Sequence, residues 1–162
     1  MMNNHKTLPQ RKPTRLKGFD YSQNGMYFVT ICTHNRKCIF GNVSCLNQIG
    51  KIAEEHIRLI SSHYQDVSVE KYVVMPNHIH MILELNCNGQ YNVQQIIGQY
   101  KSGVSREVGR LFPDVEVWQR SFHDNVIRTQ EAFEKFWLYI EGNPQCWEKD
   151  CFYIDPTIGT TQ

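Results

Sequence analysis

A chain of 162 residues, 41% hydrophobic and 20% charged, has the length and balance of one globular domain that folds without a disulfide or structural metal. It holds no apolar run near the ~20 residues of a membrane span and no apolar leader at its start, so it reads as a cytoplasmic protein with no membrane partner. The net charge of +1 hides an asymmetry: Lys6, Arg11, Lys12, Arg15 and Lys17 precede Asp20 with no acid among them, leaving 12 bases against 16 acids in the rest.

Residues 1–24 are polar, carry Pro9 and Pro13 and show no period, which predicts a basic arm aimed at an anionic partner. Met26 to Thr33 is β-branched and aromatic and reads as a strand. Leu46, Ile49, Ala53, Ile57, Ile60 and Tyr64 recur at helical spacing. Val67 to Met75 and Ile79 to Leu85 read as two strands joined across Pro76-Asn77. Val93, Ile96, Ile97, Tyr100, Val104, Val108 and Leu111 mark a second helix. A fourth strand is expected from Val115–Trp118 with a continuation near Phe122–Ile127. A third helix starts after Arg128, capped by Thr129, and Gly142 and Pro144 are expected to end it.

This order is that of a ferredoxin-like split βαβ fold. It is an α+β domain with an antiparallel sheet, helices on one face and an extra C-terminal helix carrying a tyrosine. The expected organisation is an arm over 1–24, a catalytic domain over 25–150 and a short tail over 151–162. Six cysteines form no Cys-x-x-Cys pair and no zinc-ligand spacing, so they are read as reduced thiols.

His78 and His80 stand two apart at the start of a strand. Residues i and i+2 of a strand share a face, so both imidazoles can reach one ion, and the adjacent turn predicts an accessible position. A bare His-x-His also arises by chance on a sheet face. Tyr139 lies beside the apolar seam Phe133, Phe136 and Ile140 of the third helix, with Asn143 four residues on and on the same face. Taken alone, such a tyrosine is more often packing than nucleophile, and an asparagine before a proline more often a helix stop.

The blocks Tyr72-Val-Val-Met-Pro-Asn-His-Ile-His80, Trp118-Gln-Arg120, Val126-Ile-Arg128 and Tyr139-Ile-Glu-Gly-Asn-Pro144 occur in one order. With Arg15-Leu-Lys-Gly-Phe-Asp-Tyr-Ser22 and Tyr27-Phe-Val-Thr-Ile-Cys-Thr33, they resemble the REP-associated tyrosine transposases. These belong to the HUH class of single-stranded-DNA transposases. The resemblance covers about residues 11–150.

It implies that Tyr139 is the nucleophile, attacking a DNA phosphate to form a 5′-phosphotyrosine and release a 3′-hydroxyl. It further implies that His78, His80 and Asn143 hold a divalent metal, Mg²⁺ or Mn²⁺. On the same resemblance, the DNA is expected to be single-stranded or hairpin-forming and the protein a monomer or homodimer. One departure stands in Phe122-His123-Asp124-Asn125, where His123 replaces a second aromatic residue and Asn125 a common histidine.

The bases expected to contact DNA phosphates are Arg11, Lys12, Arg15 and Lys17 in the arm, Lys101, Arg106 and Arg110 on the second helix, and Arg120 and Arg128 nearer the tyrosine. Tyr21, Tyr100 and Trp118 are candidates for stacking on unpaired bases. Two other readings compete: a domesticated DNA-binding protein that keeps the fold without cleavage, and a metal-dependent hydrolase with no covalent step.

Overall fold

The computed structural model describes residues 18–154. Its main strands are β1 (Gly25–Cys32), β4 (Val67–Met75), β5 (His78–Leu85) and β6 (His123–Ile127). They form one sheet in the order β4-β5-β1-β6, with every neighbouring pair antiparallel. A small hairpin of β2 (Gly41–Asn42) and β3 (Cys45–Leu46) precedes α1 (Gln48–His63). With α2 (Val93–Leu111) between β5 and β6, the topology is the expected split βαβ.

The helices begin where side chains supply the missing acceptors. Asn47 accepts from Gly50 N at 3.0 Å for α1, and Thr129 Oγ1 accepts from Ala132 N at 3.1 Å for α3 (Gln130–Gly142). Asn92 and Gln95 form a reciprocal capping box for α2. Gly50 is required by close approach, since a Cβ there would lie 2.3 Å from Phe40 O.

Helices α1 and α2 cover one face of the sheet, packing Ile52, Ile57, Ile96 and Ile97 against Val29, Ile31, Met81 and Leu83. The sequence reading puts the helices on one face, and α1 and α2 obey it. Helix α3 does not: Ile140, with Phe133, Phe136 and Trp137, covers Phe28, Ile82 and Ile127 on the opposite face. The physical cause lies in β1 and β5, which are apolar at consecutive positions and buried on both sides, so a second cover is needed. Lys71 of β4 clamps α3 from outside, 3.1 Å from Glu141 and 4.3 Å from the Trp137 ring centre.

One expectation is corrected. Val115–Trp118 is not part of the fourth strand. It crosses the end of β1, where His34 N donates to Val117 O and Gln119 N to Cys32 O, with a single bridge from Thr33 to Trp118. Pro144 follows the end of α3, which falls at Gly142 as expected. It sits in the first turn of a 3-10 stretch, Asn143–Lys149, where a missing N–H leaves no bond broken. This stretch carries the chain back toward the sheet. No helix among the described residues is long and apolar enough to cross a membrane.

Candidate active site

The turn between β4 and β5 is pinned from the β1 side: Thr33 N donates to Asn77 O at 2.9 Å and Phe40 N to Pro76 O at 3.1 Å. His78 and His80 follow on one face of β5, opposite Cys32 and Thr30 of β1, with ring centres 4.5 Å apart. His78 Nδ1 donates to Asn77 Oδ1 at 2.9 Å, which leaves its Nε2 as a lone pair. His80 Nδ1 meets Thr30 Oγ1 at 2.8 Å. Both rings are thus oriented through Nδ1, the arrangement that frees Nε2 to ligate.

Phe28 lies between two rings, with Phe136 at 4.3 Å and His80 at 5.2 Å, and so sets α3 against the histidines. Tyr139 is then 5.1 Å from His80, ring centre to ring centre, and 41% exposed. Asn143, one turn on, is buried. Past the 3-10 stretch, Asp150 closes the group. Its Oδ2 accepts from Asn143 Nδ2 at 2.6 Å, lies 3.5 Å from the Tyr139 hydroxyl and 3.9 Å from His78 Nε2. Its Oδ1 accepts from Phe152 N at 2.7 Å. One donor atom from each of His78, His80 and Asp150 fits within a 4.8 Å span.

Three atoms in this group are buried and have no hydrogen-bond partner: His78 Nε2, His80 Nε2 and Asn143 Oδ1. Buried polar atoms are almost always paired, so three converging exceptions fit a bound cation. Two imidazole nitrogens, an amide oxygen and a carboxylate suit a divalent ion of hard to borderline character.

The electrostatics agree. Burial, and then its neighbour His78, pushes His80 down to about 3. Burial lowers His78 to about 4 against the opposing pull of Asp150. Both rings are therefore neutral near pH 7, the form that binds a metal. Burial works to raise Asp150, but the Phe152 N–H, the Asn143 amide and the histidines together hold it below the ordinary carboxylate value. Burial, then the Asp150 charge, pushes the Tyr139 phenol up to about 12, so it is protonated when free of substrate.

The structure brings His78, His80, Tyr139 and Asn143 together. It corrects the expected accessibility of the histidines, which are fully covered by residues late in the chain: Phe152 lies 4.6 Å and Trp147 5.9 Å from the His78 ring. A cavity of about 400 Å³ lies beside Tyr139, bordered by Leu138, Asn143, Lys149 and Asp150, and neither histidine lines it. Asp150 was not foreseen, nor were the positioning roles of Thr30 and Asn77. Asn77 carried a signal, being adjacent to His78; Asp150 carried none.

Of the bases, Arg11, Lys12, Arg15 and Lys17 lie outside the described residues. Lys101 is half-buried, its Nζ clasping Gln119 O at 2.6 Å and Arg120 O at 3.2 Å. Arg106 lines a cavity between α1 and α2, on the far face of the sheet. Arg120 is exposed near Lys101, and Arg128 lies 5.7 Å over the Phe19 ring. None of the four joins the histidines. Tyr21, Tyr100 and Trp118 are buried core residues, so the stacking expectation for them is withdrawn. Tyr100 Oη donates to Ala53 O and Trp118 Nε1 to Lys101 O. His123 and Asn125 are exposed on the edge strand β6, opposite Thr30 and Phe28.

Residues 21–143 match the family described as Transposase IS200 like. The chain belongs to this family. The matched span includes both histidines, Tyr139 and Asn143, and ends before Asp150. An uncharacterized protein of Haemophilus influenzae is 31% identical to this IS200-like transposase, over 91% of this chain and 96% of that protein. Two solved structures share the fold. One is a REP-associated tyrosine transposase bound to a REP hairpin: TM-score 0.64, 19% identity, 81% of this chain and 73% of that chain. The other is a candidate transposase from Deinococcus radiodurans: TM-score 0.53, 16% identity, 79% and 95%.

Proposed function

We propose that this IS200-like transposase cleaves and rejoins single-stranded DNA through Tyr139, at a divalent metal held by His78, His80 and Asn143 with Asp150 beside them. The observation that carries the reading is the convergence of three unpaired buried atoms, His78 Nε2, His80 Nε2 and Asn143 Oδ1, next to a half-exposed tyrosine. The bound ion, Mg²⁺ or Mn²⁺, would polarise the scissile phosphate and offset the charge developing on its oxygens.

The residues of the chain do the rest. Asn77 holds His78 in one tautomer and orientation, and Thr30 orients His80. Tyr139 Oη forms the bond to phosphorus and its proton passes to the Asp150 carboxylate, which the hydroxyl already faces at 3.5 Å. The bond from phosphorus to the 3′-oxygen breaks, and that oxygen leaves as a hydroxyl once protonated. A 3′-hydroxyl from another strand end then attacks the 5′-phosphotyrosine and restores a phosphodiester. One ester replaces another at each step, so no nucleotide cofactor is consumed.

Hairpin-forming DNA is the proposed substrate class, in keeping with the REP hairpin held by the solved transposase of the same fold. The arm and the exposed Arg106, Arg120 and Arg128 are proposed to bind phosphates away from the reacting centre, with Lys101 holding the loop that presents Arg120. The test is incubation with a single-stranded hairpin oligonucleotide and Mn²⁺, followed by a denaturing gel. A DNA-linked band that depends on metal and disappears in Tyr139→Phe supports the proposal. Binding without any linked band would instead identify a DNA-binding protein of this fold that does not cleave.

A further inference from the structure

Arg36 is a cation that the fold holds next to the histidine pair without giving it an acid. It sits in the turn after β1, where Asn35 and Arg36 take φ of 50° and 54° in succession. Two adjacent non-glycine residues in the left-handed region are uncommon, and such strain gathers at working sites. The turn is held in place from several directions. Arg36 N donates to Thr33 O at 3.1 Å, and Thr33 Oγ1 is bonded to Lys37 O and Asn77 O.

Asn77 links this turn to the metal donors. Its side chain is fully buried and completely used: Oδ1 accepts from His78 Nδ1, and Nδ2 donates to Arg36 O at 3.1 Å and to Phe152 O at 2.8 Å. One amide therefore fixes the His78 ring and the Arg36 backbone relative to each other. The Arg36 guanidinium lies 5.1 Å over the Phe152 ring, whose centre is 4.6 Å from that of His78. Arg36 is exposed, and no acidic side chain among the described residues pairs with it.

A guanidinium offers two parallel N–H donors that match the two free oxygens of a phosphodiester. We propose that Arg36 grips a phosphate of the DNA strand next to the one held at His78 and His80, and so sets the strand's register in front of Tyr139. This rests on the strand-transfer reading above. It adds a positioning residue in the turn after β1, away from Lys101, Arg106, Arg120 and Arg128.

The test compares wild type, Arg36→Gln and Arg36→Lys on a fluorescent single-stranded hairpin oligonucleotide. Affinity is measured across a salt series, and the rate of covalent adduct formation at saturating DNA with Mn²⁺. Losing one phosphate contact flattens the slope of log affinity against log salt by ~0.7 on a single strand. Arg36→Gln should show that flattening. Arg36→Lys should keep the slope, because the charge remains, yet form adduct more slowly, because the paired donors are gone. An unchanged slope together with an unchanged adduct rate in Arg36→Gln would overturn the proposal. Should wild type itself form no adduct, the strand-transfer reading fails, and the salt slope alone still decides for or against Arg36.

Discussion

Asn143 Nδ2 donates to Asp150 Oδ2 at 2.6 Å, so the residue after the last turn of α3 is locked to a carboxylate seven residues on. A carboxylate only accepts, so the amide turns its nitrogen toward Asp150 and leaves Oδ1 in buried space beside the histidines. Asp150→Ala removes both the carboxylate and the lock on the amide. Loss of a group that orients a ligand typically costs 10–100-fold in metal affinity. Calorimetric titration of the DNA-free protein with Mn²⁺ should show a drop of that size. An affinity within twofold of wild type would place Asp150 outside the metal centre.

Replacing both imidazoles separates metal chemistry from DNA binding. In His78→Ala/His80→Ala two of the three unpaired donor atoms disappear, while Arg106, Arg120 and Arg128 are untouched on other parts of the surface. Metal-dependent adduct formation should fall below detection. Affinity for single-stranded DNA should stay within a few-fold of wild type and keep its dependence on salt. Cleavage that survives in the double variant would remove the histidines from the mechanism.

The same two residues make stability depend on pH. Folding lowers His78 to about 4 and His80 to about 3, below the value of about 6.5 for an unfolded histidine. Between those limits the unfolded chain binds more protons than the folded one, so stability rises with pH. The contribution is complete above about 6.5 and is lost as the pH falls toward 4 and 3. Urea unfolding of the metal-free protein at pH 7.5 and pH 5 should differ by on the order of 4 kcal/mol in favour of pH 7.5, about half from each histidine. The His78→Ala/His80→Ala variant should show a much smaller difference. Equal pH sensitivity in both proteins would assign it to other groups.

What the sequence disclosed follows from which signals are local. His78 and His80 share a face because strand periodicity is two, and that needs only neighbouring residues. Helix α2 runs Val93–Leu111, the first and last positions of the apolar period read from the sequence. Helix α3 was legible as a helix, but its place on the second face was not. That place is set by Phe28 and Ile82, which lie far apart in the chain and meet only in the β1–β5 pair. Asp150 was illegible for a related reason. It follows a 3-10 stretch with no apolar period, and its role depends on where Pro144 sends the chain. The burial of His78 under Phe152 arises from the same path.

Tyr139→Phe isolates the chemical role of one oxygen. The ring keeps its packing, 6.0 Å from Phe28 and 5.1 Å from His80, because phenylalanine fills the same space. The hydroxyl faces Asp150 at a long 3.5 Å and also meets the Asn143 amide, on a side chain 41% exposed, so its removal should change stability by about 1 kcal/mol or less. Metal affinity should be close to wild type, since the proposed donors are His78, His80 and Asn143, with Asp150 beside them. DNA affinity should hold as well. Adduct formation alone should vanish, because the atom that bonds to phosphorus is missing. The measurement is a denaturing gel of protein incubated with labelled single-stranded DNA and Mn²⁺, with thermal unfolding as the control for folding. If Tyr139→Phe still becomes linked to cleaved DNA, the nucleophile lies elsewhere. Tyr100 is an unsuitable substitute, buried between α1 and α2 with its hydroxyl bonded to Ala53 O. Tyr153, whose ring packs 5.3 Å from Trp147 beside the site, would then be the next residue to replace.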